Sequence, residues 1–138
     1  MPLYLCNFAK GAIEDAAKAP IAADITQIHC DVTGAPPSFV HVFFLEDAAH
    51  PQRGGKKAIV SGTIRAGRTH EQKQRIAHRI CEALSRRTGL ALADLAASTA
   101  DTPSSWVMEG GEVMPEPGEE ANWLAARAAG RVQSDAQA

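Results

Sequence analysis

The chain of 138 residues is poor in aromatics, 5 %, and has no excess of either charge, with 14 Lys+Arg against 16 Asp+Glu and a formal net charge of −2. The first scarcity disfavours base-stacking platforms and aromatic cages. The second argues against general nucleic-acid binding, because a phosphate backbone calls for a clustered basic excess. No apolar run approaches the ~20 residues of a membrane span. The longest, around 39–45, is strand-sized and contains His41. Met1-Pro2-Leu3-Tyr4-Leu5-Cys6 has neither the basic region nor the cleavage site of a secretory signal. Cys6, Cys30 and Cys81 are widely spaced and form no C-x-x-C, so a reduced, cytoplasmic setting is expected. The histidines show no zinc-like spacing, and neither a phosphate-binding glycine loop nor a G-x-S-x-G elbow occurs. No metal or cofactor is expected.

Hydrophobic residues make up 45 %, enough for one globular domain of this length. The periodicity falls into two similar halves, about 2–55 and 56–105, followed by an extension over 106–130 and a tail expected to fray over 131–138. Residues 3–8 read as a strand. Ile21, Ile25, Ile28 and Val32 then mark one face of a helix. Pro20 must either kink that helix or occupy its first turn. Gly34 and Pro36-Pro37 end it, and a strand is predicted at 39–45.

The second half repeats the order: a strand over 57–64, a capping box at Thr69-His70-Glu71-Gln72, a helix with Ile76, Ile80 and Leu84 on one stripe, Thr88-Gly89 as its end, and a short strand at 95–99. The expected fold is therefore α+β, two tandem β-α-β units forming a four-stranded sheet with two helices on one face. The other, apolar face needs covering, and self-association is the natural means. After Asp101 an irregular stretch leads to a helix predicted over 119–129.

Four positions could carry chemistry. Removal of Met1 would leave Pro2 with a free secondary amine, a base, nucleophile or, when protonated, an acid, although proline after the initiator is common in any protein. Arg65 and Arg68 flank Ala66-Gly67 just before a capped helix N-terminus, where the macrodipole disfavours cations. An anion such as a carboxylate would explain them, and two solvated loop residues remain the alternative. His29 adjoins the apolar face of the first helix and fits a packed residue as well as a catalytic one. His41 reads as a face residue of its strand; His50, His70 and His78 read as surface positions. Glu109 follows Met108 and precedes Gly110-Gly111, with Glu112, Glu116, Glu119 and Glu120 suggesting a generic acidic loop.

Taken together, Pro2, His29 with Thr33-Gly34, Arg65-Ala66-Gly67-Arg68, Glu109 after Trp106-Val107-Met108, and Pro115-Glu116-Pro117-Gly118 leading to Trp123 resemble the tautomerase superfamily. The likeness is to its cis-3-chloroacrylic acid dehalogenase branch. The resemblance implies a tautomerase or isomerase acting on a small 2-keto, enol or unsaturated carboxylate, arranged as a homotrimer, with no nucleic-acid or membrane partner. It implies that Pro2 is the general base or acid, that Arg65, Arg68 and His29 hold the substrate carboxylate, and that Glu109 activates water in a hydratase or dehalogenase mode. The family's water-orienting tyrosine is replaced here by Ser98, a whole ring shorter, and the only tyrosine is Tyr4. That substitution weakens dehalogenation. A noncatalytic trimeric anion-binding module is the alternative from another class.

Overall fold

The computed structural model describes residues 2–137, with the side chains of 2–130. The chain runs β1 (Leu3–Phe8), α1 (Asp15–Thr33), β2 (His41–Glu46), β3 (Ala58–Arg65), α2 (His70–Thr88), β4 (Leu95–Thr102), the hairpin β5 (Met108–Glu109) with β6 (Glu112–Val113), and α3 (Glu120–Gln137). The sheet order is β2-β1-β3-β4. Pairing is parallel inside each β-α-β unit and antiparallel between β1 and β3, where the units meet. This is the expected α+β arrangement of two tandem units.

Alternation along β1 sends Tyr4, Cys6 and Phe8 to the helix side, where all three are buried. They form the main core with Val60 and Ile64 of β3, Ile21, Ile25 and Ile28 of α1, and Ile76, Ile80 and Leu84 of α2. The capping box at α2 forms as the sequence specifies: Thr69 Oγ1 accepts from the Gln72 N–H at 3.1 Å, and Gln72 Oε1 accepts from the Thr69 N–H at 2.8 Å. α1 has no side-chain cap and starts at Asp15, so Pro20 lies inside the helix and beyond its first turn. The first-turn alternative is therefore excluded.

The second strand begins at His41, not at residue 39, because Pro37–Phe39 forms a 3-10 turn after the Pro-Pro pair. β4 runs three residues past its expected end, to Thr102, and α3 continues past 129. The tail expected to fray, 131–138, lies outside the described side chains. Among the described residues no helix is long and apolar enough to cross a membrane.

Opposite the helices, register places Leu3 and Leu5 beside His41 and Phe43, with Ser61 and Ser98 further across. Phe43 and Leu45 remain 57 % and 44 % exposed on this face. The extension builds a second, smaller cluster. Phe39, Val107 and Met114 are buried, with Trp123 and Leu124 packed on them. Trp123 meets Phe39 edge-on at 5.6 Å, and its indole N–H donates to the Val113 carbonyl at 3.0 Å.

Candidate functional site

Pro2 opens β1. Its carbonyl accepts from the His41 N–H at 2.9 Å, so the residue belongs to the ladder and does not dangle from it. One register step beyond Leu3↔Thr63 sets Pro2 beside Ile64, the residue before Arg65. The amino end of β1 and the carboxyl end of β3 thus share one corner of the sheet.

Two residues on from Pro2, the Tyr4 ring lies across Gly62. A β-carbon there would come within 2.5 Å of Tyr4 Cε1, so the close approach needs glycine. The Tyr4 hydroxyl shares a 2.7 Å hydrogen bond with His29 Nδ1, and the rings meet edge to face. Both side chains are nearly inaccessible, at 0 % and 2 % exposure. Burial first, then the charges of Arg68 and Arg65, brings His29 down to about 3, so the imidazole is neutral at ordinary pH. Burial likewise raises the Tyr4 phenol above its usual 10, partly offset by Arg68. With the hydroxyl donating to Nδ1, His29 keeps Nε2–H as a donor.

The arginines are not solvated loop residues. Arg68 donates to the Thr33 carbonyl at 3.1 Å, at the C-terminus of α1, where the helix dipole favours a cation. Arg65 is 2 % exposed and stacks 5.4 Å from the Phe39 ring centroid. It donates to the Pro115 carbonyl and, at 2.8 Å, to Glu120 Oε1. Arg68 reaches the same oxygen at 3.4 Å. Glu120 Oε2 accepts from the Gly118 N–H at 2.8 Å. Burial alone would raise the Glu120 carboxyl, but its own N–H, Arg65 and Gly118 outweigh that and hold it below 4.5. Burial, reinforced by Arg65, lowers Arg68.

The anion that the sequence leads one to expect beside these arginines is thus already supplied by the chain. Sequence reasoning sets Glu120 among generic acidic residues and gives Tyr4 no role. No local signal sets Glu120 apart, since the helix is predicted from 119 and Glu119 shares its place behind Pro117-Gly118.

Glu109 sits on β5, with Oε1 3.3 Å from His41 Nε2. Because the His41 backbone is bonded to Pro2, this contact places Glu109 at the β2 side of the same corner. Ser98 is not brought to Glu109. It lies on β4, at the opposite sheet edge, paired with Ser61 of β3. Three strand spacings put β4 about 14 Å from β2. An open cleft of 380 Å³ between α1 and β2, lined by Cys30, Pro37 and Val42 among others, does not include the arginine cluster. Among the described residues no three His, Cys, Asp or Glu gather as a metal site.

Comparison with known proteins bears on the family and the fold. No curated protein matches the chain by sequence. By fold, N1, a member of the cis-3-chloroacrylic acid dehalogenase family, superposes with a TM-score of 0.82 at 26 % identity, over 97 % of this chain and 99 % of N1. Native Ps01740 gives 0.69 at 37 % identity, over 78 % of this chain and 100 % of that one. A native fused 4-OT gives 0.68 at 25 %, over 81 % and 95 %. The family model described as "Putative oxalocrotonate tautomerase enzyme" matches residues 1–128. With an α+β fold of paired β-α-β units to match, the chain belongs to the tautomerase superfamily, on its cis-3-chloroacrylic acid dehalogenase-like branch.

Proposed function

We propose that this chain is a tautomerase-type enzyme acting through Pro2 on small 2-keto, enol or unsaturated carboxylates. The reading is carried by the convergence at one sheet corner of Pro2, a neutral His29 fixed by Tyr4, and Arg68 backed by Arg65. After removal of Met1, the nearby cations lower the secondary amine from above neutrality towards working pH, where a general base is most effective. The neutral nitrogen takes the proton beside the carbonyl and returns it elsewhere on the dienol. Arg68, with Arg65 behind it, holds the carboxylate and offsets charge developing on the enolate. His29 Nε2–H donates to the carbonyl or carboxylate oxygen.

A hydratase or dehalogenase mode is the second reading, favoured by the link from Glu109 through His41 to Pro2. Here the amine is protonated and donates to carbon while Glu109 delivers water. Ser98 is remote from Glu109 within one chain, so Ser98 would assist only from a neighbouring copy. A homotrimer accounts for the exposed Phe43 and Leu45 face, and a fused 4-OT neighbour of the same fold is described as a symmetric trimer.

Mass spectrometry of the native protein is expected to find Met1 removed, and Pro2→Ala should lower turnover of phenylenolpyruvate by about 10²-fold or more. Unchanged turnover in Pro2→Ala overturns the role of Pro2, and native protein that gives no turnover while Arg68→Ala still loses anion binding would instead mean a noncatalytic binding module. An NMR titration of the Pro2 nitrogen separates the two enzymatic modes: a value near neutrality or below means base, one well above it means acid.

A further inference from the structure

Arg65 and Arg68 both point at a carboxylate that belongs to the chain itself. Glu120 Oε1 accepts from Arg65 at 2.8 Å and Arg68 at 3.4 Å, and Oε2 accepts from Gly118. The three side chains are 1 %, 8 % and 11 % exposed. Pulling Glu120 away would strand the Arg65 charge in a nearly dry setting, the costliest state of a buried pair. Glu120 is therefore a resident of the cluster and not a placeholder that a substrate displaces.

The remaining charges facing the cluster are few. His29 and Tyr4 are neutral. Glu116 and Glu119 are exposed to solvent and screened. With the Pro2 amine neutral, as in the base mode, two guanidiniums and one carboxylate leave a single positive charge. It lies with Arg68, because Arg65 holds Glu120 at 2.8 Å and is the more buried of the two, whereas Arg68 reaches Thr33 and Glu120 only at 3.1 and 3.4 Å.

We infer that Glu120 sets the charge class of the substrate: with it in place the corner accepts one carboxylate and disfavours a second carboxylate close to the first. The inference rests on the reading that the arginine cluster holds the substrate carboxylate. It makes Arg65 chiefly an anchor for the extension and Arg68 the group that meets the ligand.

Isocrotonate and maleate share a four-carbon cis-alkene and differ by one carboxylate, and their binding can be followed by calorimetry without turnover. Native protein is expected to bind isocrotonate at least tenfold tighter than maleate. Glu120→Gln, which leaves both guanidiniums uncompensated, should shift that ratio towards maleate by tenfold or more. Arg65→Met alone, which cancels the net charge, should weaken isocrotonate at least tenfold. Adding Glu120→Met to it removes one charge of each sign and should restore both affinity and ratio. Thermal melts check folding of each variant, and the Arg65→Met pair carries the test where Glu120→Gln does not fold.

If Arg68→Ala leaves isocrotonate binding unchanged, or native protein binds neither acid, the arginine cluster is not the carboxylate site and the inference falls with that reading. If Arg68→Ala abolishes binding while the ratio stays fixed in Glu120→Gln or the affinity in Arg65→Met, the inference alone is overturned.

Discussion

The two hydrophobic clusters of this chain are held by different means. The main core is a continuous packing of mostly aliphatic side chains, with Tyr4 and Phe8 among them, from three strands and two helices, and near the candidate site it carries the buried Tyr4–His29 hydrogen bond. The second cluster has three buried members, Phe39, Val107 and Met114, too few to order the extension by burial alone. It is fastened by discrete polar links: Arg65 to Pro115 and Glu120, Trp123 to the Val113 carbonyl, and Arg127 stacked 4.7 Å over Trp123 while paired with Glu112 at 3.0 Å. The comparison teaches that the site lies on a seam. One wall belongs to a cooperative core, and the other to a segment whose attachment depends on a few charges and so opens at lower cost.

Truncation separates the two regions most strongly. Phe8→Ala in the main core should cost about 3–5 kcal/mol and lower the whole urea transition. Arg65→Ala should cost about 2–3 kcal/mol, less than a fully buried pair, because Glu120 keeps Gly118 and Arg68 as donors. Its signature is faster amide exchange in α3 at unchanged protection in β1 and β3. Equal loss of protection in both regions would mean that the seam does not exist.

Acid sharpens the same contrast. Unfolded His29 takes up a proton near 6.5, whereas the folded residue resists until about 3, so the unfolded state binds more protons across that window. Stability contributed by neutral His29 is therefore complete above 6.5 and declines as pH falls, by about 2 kcal/mol at pH 5. Glu120, held below 4.5, adds a loss of the same sign below that pH, from the extension side. Urea midpoints at pH 7, 6 and 5 check this, and His29→Gln should flatten the first part of the slope.

The smallest expected effect compares helix starts. Thr69→Ala should cost about 1 kcal/mol by breaking the capping box of α2, while Glu14→Ala, at a start with no side-chain cap, should stay within about 0.5 kcal/mol in thermal unfolding.

The β-α-β units were legible because local signals agreed: Ile76, Ile80 and Leu84 share one stripe, Thr69 and Gln72 cap it, and Gly34 and Gly89 end their helices at φ 76° and 75°. The start of β2 was misread because Phe39, a good strand former, is buried against Trp123 from the far end of the chain, which local propensity does not contain. The site was legible in part. Arg65 and Arg68 stood out by type and place, but Glu120 lies 55 residues from Arg65, and nothing local distinguishes its charge from that of its solvated neighbours. Tyr4 reads as a strand residue until Gly62 is seen to make room for its ring.

That placement of Tyr4 has a practical corollary. The chain contains one tyrosine, and its phenol is bonded to His29 beside the Arg68 charge. The ring resonances of the chain's one tyrosine therefore arise from this corner, a single spectroscopic reporter of any ligand that reaches the guanidinium.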